Sequence, residues 1–171
     1  DDFRNFFQPD KEPVKFKIDE LFKKLFNLME VQYSNKNIIF IKDIENIELY
    51  TLENELLQVL INICNNARDA LEKTKKDKYI FISSKVENNN FIIQIKDNGN
   101  GIDEKIIHKI FEPYFTTKDK SQGTGIGLFM SEQIITKHLE GYTNVSNVKY
   151  EYKSIEYQGA LFEIVLPLRK K

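Results

Sequence analysis

INICNNARDAL, residues Ile61–Leu71, places three asparagines inside a run that otherwise reads as a helix. Asn is a poor helix former because its short amide competes for nearby backbone groups, and each costs roughly 0.5 kcal/mol against Ala. At about 100° per residue, Leu56, Leu60, Ile63, Cys64, Ala67 and Leu71 fall on one side of the helix. Gln58, Asn62, Asn65, Asn66 and Asp69 fall on the other. Asn62 and Asn66 stand four apart and stack on one face, with Asp69 a turn beyond. A solvated face would explain this pattern. Yet the chain places Lys and Glu on wet faces elsewhere, as in DEKIIHK (Asp103–Lys109). Short amides hold fixed geometry and offer both donors and acceptors. An amide oxygen is also a hard ligand suited to Mg²⁺, which keeps several waters and takes other ligands from phosphates.

Working outward, Thr51 is placed to cap this helix, which reaches about Lys73. Before it, Asp19 reads as the N-cap of a helix through about Tyr33, with Leu21, Phe22, Leu25, Phe26 and Met29 on one face. NIIFIK (Asn37–Lys42) and IELY (Ile47–Tyr50) read as strands. DDFRNFF (Asp1–Phe7) reads as the end of a helix stopped by Pro9, and Asp10–Lys17 as a polar linker. After the long helix, YIFISSKV (Tyr79–Val86) and FIIQIKD (Phe91–Asp97) flank ENNN, a hairpin pattern. Asp103 can cap a short helix to about Ile110, and a further helix runs from about Ile126 to Leu139, stopping at Gly141. VKYEY, SIEY and ALFEIVLP read as strands. Helices and hairpins mix without strict alternation. That points to an α+β fold, a two-layer sandwich of a mixed, mostly antiparallel sheet covered on one face by about three helices.

The 171 residues fit one domain, with 41% apolar and 30% charged residues, a globular composition. A net charge of −1 favours neither a nucleic-acid partner nor direct membrane contact. The single cysteine, Cys64, suits a reducing, cytoplasmic setting. No apolar run approaches the roughly 18 residues of a membrane span. The chain opens Asp1-Asp2 without Met and is expected to be a fragment whose parent carries more.

Two glycine segments stand out. DNGNGI (Asp97–Ile102) follows a strand; it is either a tight turn or a backbone that comes close to a flat ligand, with Asp97 as a fixed acceptor. GTGIGL (Gly123–Leu128) alternates three glycines immediately before a helix, where backbone N–H groups and the helix dipole favour phosphate. It is neither the dinucleotide fingerprint nor a Walker A loop. FEPYFTTK (Phe111–Lys118) precedes it and brings Thr116, Thr117 and Lys118 beside that loop.

In this order, NICNNARDAL, DNGNGI, FEPYFTTK and GTGIGL resemble the N, G1, F and G2 boxes of the ATP-binding catalytic domain of sensor histidine kinases, in the GHKL ATPase superfamily. GALFEIVLP resembles the closing strand, and FEPYFTTK especially resembles the F box of kinases related to nitrogen-regulation sensors. The resemblance covers about Asp19 to Leu168 and implies a Bergerat fold with ATP between the long helix and a lid. It draws the boundaries at residues 1–18, the end of a dimerisation helix and linker, and 19–171, the ATP-binding domain.

Carried over by position, Asn66 would hold Mg²⁺ through its amide oxygen, with Asn62 beside the phosphates. Asp97 would accept from the adenine amine. Gly99 and Gly101 would admit the base, flanked by Ile102. Gly123, Thr124, Gly125, Ile126, Gly127 and Leu128 would form the lid end and its phosphate contacts, and Thr116, Thr117 and Lys118 would approach the phosphates. Asn62, Asn66 and Lys118 are thus the candidate catalytic residues, and Asp69 joins the nucleotide-binding set.

Some positions depart from the family pattern. Ala160 stands where many relatives carry a hydroxyl, and Asp69 where several carry Lys, with Arg68 or Lys118 as replacement cations. The only histidines, His108 and His138, lack the setting of the family's phosphoacceptor and read as surface residues. The implied reaction is transfer of the ATP γ-phosphoryl to a histidine on a dimerisation domain absent from this chain, and onward to a response regulator. Hydrolytic relatives carry a Glu as base where this chain has Asn62, so weak intrinsic ATPase activity is expected. The chain itself is expected to be monomeric. A nucleotide-binding regulatory module without kinase activity is the alternative.

Overall fold

The computed structural model describes residues 12–113, 115 and 127–169. The helix expected over Asp1–Phe7 lies outside them. The elements are β1 (Val14–Lys17), α1 (Ile18–Asn35), β2 (Ile38–Ile44), β3 (Glu48–Thr51), α2 (Glu53–Leu71), β4 (Lys78–Glu87), β5 (Asn90–Asp97), α3 (Gly127–Gln133), β6 (Tyr142–Tyr152) and β7 (Ile155–Pro167). A five-stranded sheet runs in the order β2-β4-β5-β7-β6. Only β2 and β4 pair in parallel; the other three pairings are antiparallel. Parallel neighbours need a long crossover, and here β3 and α2 supply it.

One face of the sheet packs under the helices. Ile80 and Ile82 of β4, Phe91, Ile93 and Ile95 of β5, and Ala160, Phe162, Ile164 and Leu166 of β7 alternate toward that side and are buried. α2 buries nine residues, from Leu56 to Leu71, a stripe wider than one face because it lies between the sheet and its neighbouring helices. α1 buries Ile18, Leu21, Phe22, Leu25, Met29 and Tyr33 at helical spacing. The mixed two-layer sandwich expected from the sequence is the fold observed.

Local differences have tertiary causes. Val14–Lys17, read as part of a linker, is a strand because it pairs with β3 in a second, two-stranded sheet. That pairing takes Thr51 into β3 opposite Val14, so α2 begins after Leu52 with no side-chain cap. α1, by contrast, starts two residues early, at Ile18 with Lys17 rather than Asp19 at its cap, and the N–H of Asp19 donates to Asn46 Oδ1 at 3.0 Å. The segment after Asp103 forms turns and a short 3₁₀ helix, Ile107–Lys109, rather than an α-helix. α3 is shorter than expected and passes into a π-helical turn, Ile134–His138.

The β4–β5 turn is Asn88-Asn89, both at positive φ, as a two-residue hairpin loop requires. β6 and β7 are one long hairpin closed by Lys153-Ser154 in the same conformation. No helix among the described residues is long and apolar enough to cross a membrane.

Candidate functional site

The three asparagines of α2 have three different environments. Asn65 Oδ1 accepts from the buried Tyr33 hydroxyl at 2.6 Å and from Arg68 Nη1 at 3.2 Å. It braces α2 against α1. Asn62 Nδ2 donates to Ser131 Oγ at 3.1 Å and reaches the Gly127 carbonyl at 3.4 Å. A carbonyl only accepts, so the nitrogen of this amide must face α3 and its oxygen points elsewhere. The side chain of the half-buried Asn66 makes no hydrogen bond among the described residues. The Arg68 guanidinium lies on Asp69 Oδ1, at 3.3 Å from Nε and 3.2 Å from Nη2. Arg68 is therefore held by its own helix.

Asp97 ends β5 and is 2% exposed. Its Oδ1 accepts from Gly99 N at 2.9 Å and Ala160 N at 3.3 Å. Among the described residues no bond goes to Oδ2. Burial pushes this carboxyl up to about 6, against the pull of the two N–H groups. A buried acceptor with one oxygen anchored and the other uncommitted suits recognition of a donor on a flat ligand.

The loop beyond it is tied on every side. Asn98 accepts from Tyr79 N at 2.9 Å and donates to the Asp77 carbonyl at 2.6 Å, closing the end of β4. Asn100 N donates to the Gln158 carbonyl at 3.1 Å. Tyr150 Oη donates to the Asp97 carbonyl at 2.7 Å. A Cβ on Gly159 would sit 1.8 Å from that same carbonyl, so β7 crosses here only as glycine. A Cβ on Gly99 would lie 3.0 Å from the Ala70 carbonyl, which brings the loop against α2.

In the FEPYFTTK stretch, Phe111 packs edge-on to Phe162 with ring centroids 6.3 Å apart, and Phe115 also leans on the core. Gly127 opens α3 and Leu128 packs against the core. Thr116, Thr117, Lys118, Gly123, Thr124, Gly125 and Ile126 lie outside the described residues. His108 and His138 are exposed. His138 Nδ1 lies 3.1 Å from both carboxylate oxygens of Glu55, an acid 83 residues away that the sequence did not connect with it. Among the described residues no cluster of three or more His, Cys, Asp or Glu side chains could hold a metal by itself.

Sequence reasoning missed Ser131, Asn147 and Tyr150. Ser131 had a signal, one turn after Gly127 on the same helix. Asn147 and Tyr150 had none, being 45 and 53 residues from the groups they bond.

The family model described as "Histidine kinase-, DNA gyrase B-, and HSP90-like ATPase" matches residues 51–170. The signal transduction histidine-protein kinase AtoS of Escherichia coli (strain K12) is 33% identical over 88% of this chain and 23% of its own length. The catalytic domain of histidine kinase ThkA superposes with a TM-score of 0.74 at 28% identity, over 92% of this chain and 96% of that one. ThkA in complex with response regulator TrrA is alike in fold, with a TM-score of 0.72 at 24% identity, over 92% of this chain and 42% of that one. The chain spans about one eighth to one third of the length of the curated relatives it matches. It belongs to the histidine kinase-, DNA gyrase B- and HSP90-like ATPase family, as an ATP-binding catalytic domain of the sensor histidine kinase type.

Proposed function

We propose that this domain binds Mg·ATP and donates the γ-phosphoryl to a histidine on a dimerisation domain outside residues 19–171. The observation that carries this reading is the split between Asp97 and α2. A buried carboxylate with one uncommitted oxygen stands at one end of the site, and two asparagine amide oxygens not engaged by the described residues stand at the other. The first suits an adenine amine; the second suits a metal–triphosphate.

Asp97 accepts the base amine, while Gly99, Gly101 and Ile102 border the base. Asn66 is the candidate Mg²⁺ ligand through Oδ1, and Asn62 Oδ1 faces the phosphates because its nitrogen is held by Gly127 and Ser131. The ion fits this place: one amide oxygen is available, and phosphates and water would complete its shell. When bound, it neutralises charge on the phosphates. Lys118, Thr116 and Thr117, with the residues of Gly123–Leu128, are the candidate phosphate contacts. Asp69 stays at the edge of the site, paired with Arg68.

Transfer is in-line, so the protein's task is to position the nucleotide and exclude water. Asn62 has no basic atom and its N–H groups face α3, so it cannot draw a proton from water. Slow hydrolysis follows. The phosphorylated histidine would pass its phosphoryl to a response regulator, as the complex of ThkA with TrrA suits. The domain acts as a monomer in the cytoplasm, without direct membrane contact.

Calorimetric titration with ADP and a non-hydrolysable ATP analogue, with and without Mg²⁺, tests this. Wild type should bind both, Asp97→Ala neither, and Asn66→Ala both but without the Mg²⁺ dependence. Failure of the wild type to bind any adenine nucleotide would overturn the reading.

A further inference from the structure

The loop from Asp97 to Ile102 is held at its far end by a residue outside all four sequence boxes. Asn147, on β6, meets both backbone groups of Ile102. Its Oδ1 accepts from Ile102 N at 2.7 Å, and its Nδ2 donates to the Ile102 carbonyl at 2.6 Å. The same Nδ2 lies 2.9 Å from Glu104 Oε1. One side-chain amide thus gives Ile102 the two hydrogen bonds that a neighbouring strand would give it. Neither a carboxylate nor a hydroxyl can replace it, since the task needs an acceptor and a donor side by side.

The backbone before Ile102 is shaped around this contact. Gly101 has φ +82°, a left-handed conformation, and a Cβ there would lie 2.6 Å from Asn147 Oδ1. The glycine is needed because Asn147 occupies that space. Along β6, side chains alternate between faces. Asn147 shares its side with Val145, which packs against the core, while Tyr150 projects to the opposite, open face and bonds the Asp97 carbonyl. β6 therefore holds the loop at its first residue from one face of the sheet and at its last from the other.

We propose that Asn147 is a positioning residue for the adenine nucleotide, its amide holding Ile102 so that the loop keeps its binding conformation. This rests on reading Asp97–Ile102 as the base-binding loop. Without the clasp the loop visits other conformations, and affinity falls with the fraction of molecules in the competent one. The effect acts at the base end. It weakens ADP and ATP by the same factor and leaves the Mg²⁺ dependence unchanged.

The test is calorimetric titration of the 171-residue chain with ADP and a non-hydrolysable ATP analogue, with and without Mg²⁺, paired with amide hydrogen exchange of the nucleotide-free protein. For Asn147→Ala, losing the two part-buried hydrogen bonds to Ile102 should weaken both nucleotides by about tenfold or more. The Ile102 amide should exchange faster while β6–β7 amides keep their protection. Asn147→Asp keeps the acceptor but turns a carboxylate toward the Ile102 carbonyl and Glu104. It should bind at least as weakly, and adding Glu104→Gln should recover part of the loss. Unchanged affinity in a folded Asn147→Ala, a loss confined to the Mg²⁺-bound nucleotide, or a loss matched by deprotection of β6–β7 would each overturn the proposal. Should Asn147→Ala fail to fold, lack of any recovery in Asn147→Asp on adding Glu104→Gln would do the same. If the wild type bound neither nucleotide, the base-binding reading would fall, and this proposal with it, whatever the exchange rate at Ile102.

Discussion

The Asn62 amide N–H donates to the Ser131 hydroxyl at 3.1 Å, joining the middle of α2 to α3. The contact spans 69 residues of sequence and involves a serine that is 1% exposed. It sets which atom of Asn62 is left for a ligand, and it makes the start of α3 part of the site.

This contact predicts energetic coupling. Asn62→Ala and Ser131→Ala should each destabilise the domain, and the double variant should lose less than their sum by about 1 kcal/mol, the net worth of one hydrogen bond. Urea unfolding of the four proteins measures this. Strictly additive losses would mean that the bond is energetically idle.

Asn65 and Asn66 are neighbours in sequence and should behave in opposite ways. Asn65→Ala leaves the buried Tyr33 hydroxyl without its acceptor and should cost about 1–3 kcal/mol of stability. Nucleotide binding should stay near wild type. Asn66→Ala should change stability by no more than about 0.5 kcal/mol, since it removes no described bond, yet abolish the Mg²⁺ dependence of binding. Thermal melts and calorimetry on both variants would show this crossing of effects; parallel behaviour would contradict the assignment.

Asp97 makes stability depend on pH in an unusual direction. Its carboxyl is raised to about 6 by burial. The folded state therefore holds this proton more tightly than the unfolded chain, where such a group titrates near 3.9. Its contribution is full below about pH 4 and is lost as pH rises through about 6, roughly 3 kcal/mol in total. Asp97→Asn keeps an acceptor for Gly99 and Ala160 but does not titrate. The stability of wild type minus that of Asp97→Asn should then fall from pH 4 to pH 6, as chemical unfolding at several pH values would reveal. A flat or rising difference rules this out. Nucleotide affinity should run the other way in wild type, weakening as pH drops below about 6, because the adenine amine needs the charged acceptor.

Two glycines should respond differently to the same change. Gly159→Ala drives a Cβ into the Asp97 carbonyl, 1.8 Å away, where only backbone movement could relieve it. The cost should be about 3 kcal/mol or more, and the Asp97 loop should lose its place. Gly127→Ala meets nothing nearer than Asn62 Cγ at 3.9 Å, an ordinary contact. It should be neutral or stabilising by up to about 1 kcal/mol, since Ala favours helix over Gly. Comparing unfolding midpoints of the two variants decides the matter; equal losses would refute the geometric account.

The layers of this protein are legible in local patterns of its sequence. The apolar spacing along α1 and α2, the alternation in β4 and β5 and the Asn-rich hairpin turn are local patterns, and local backbone preference and periodicity suffice to read them. Four short motifs in order identified the family for the same reason, since each is contiguous. Tertiary structure decided what each polar side chain does. The wheel put Asn62, Asn65 and Asn66 on one face, but only the packing of α1 and α3 assigned Asn65 to Tyr33 and Asn62 to Ser131, leaving Asn66 open. Thr51 lost its expected cap because β1 drew it into a strand. Asn147 and Tyr150 reach the Asp97–Ile102 loop because β6 pairs with β7 in a register that brings Asn147 opposite Ala160. A hydrogen bond depends on where two groups meet in space, and partners 45 to 69 residues apart in sequence meet only once the sheet has formed.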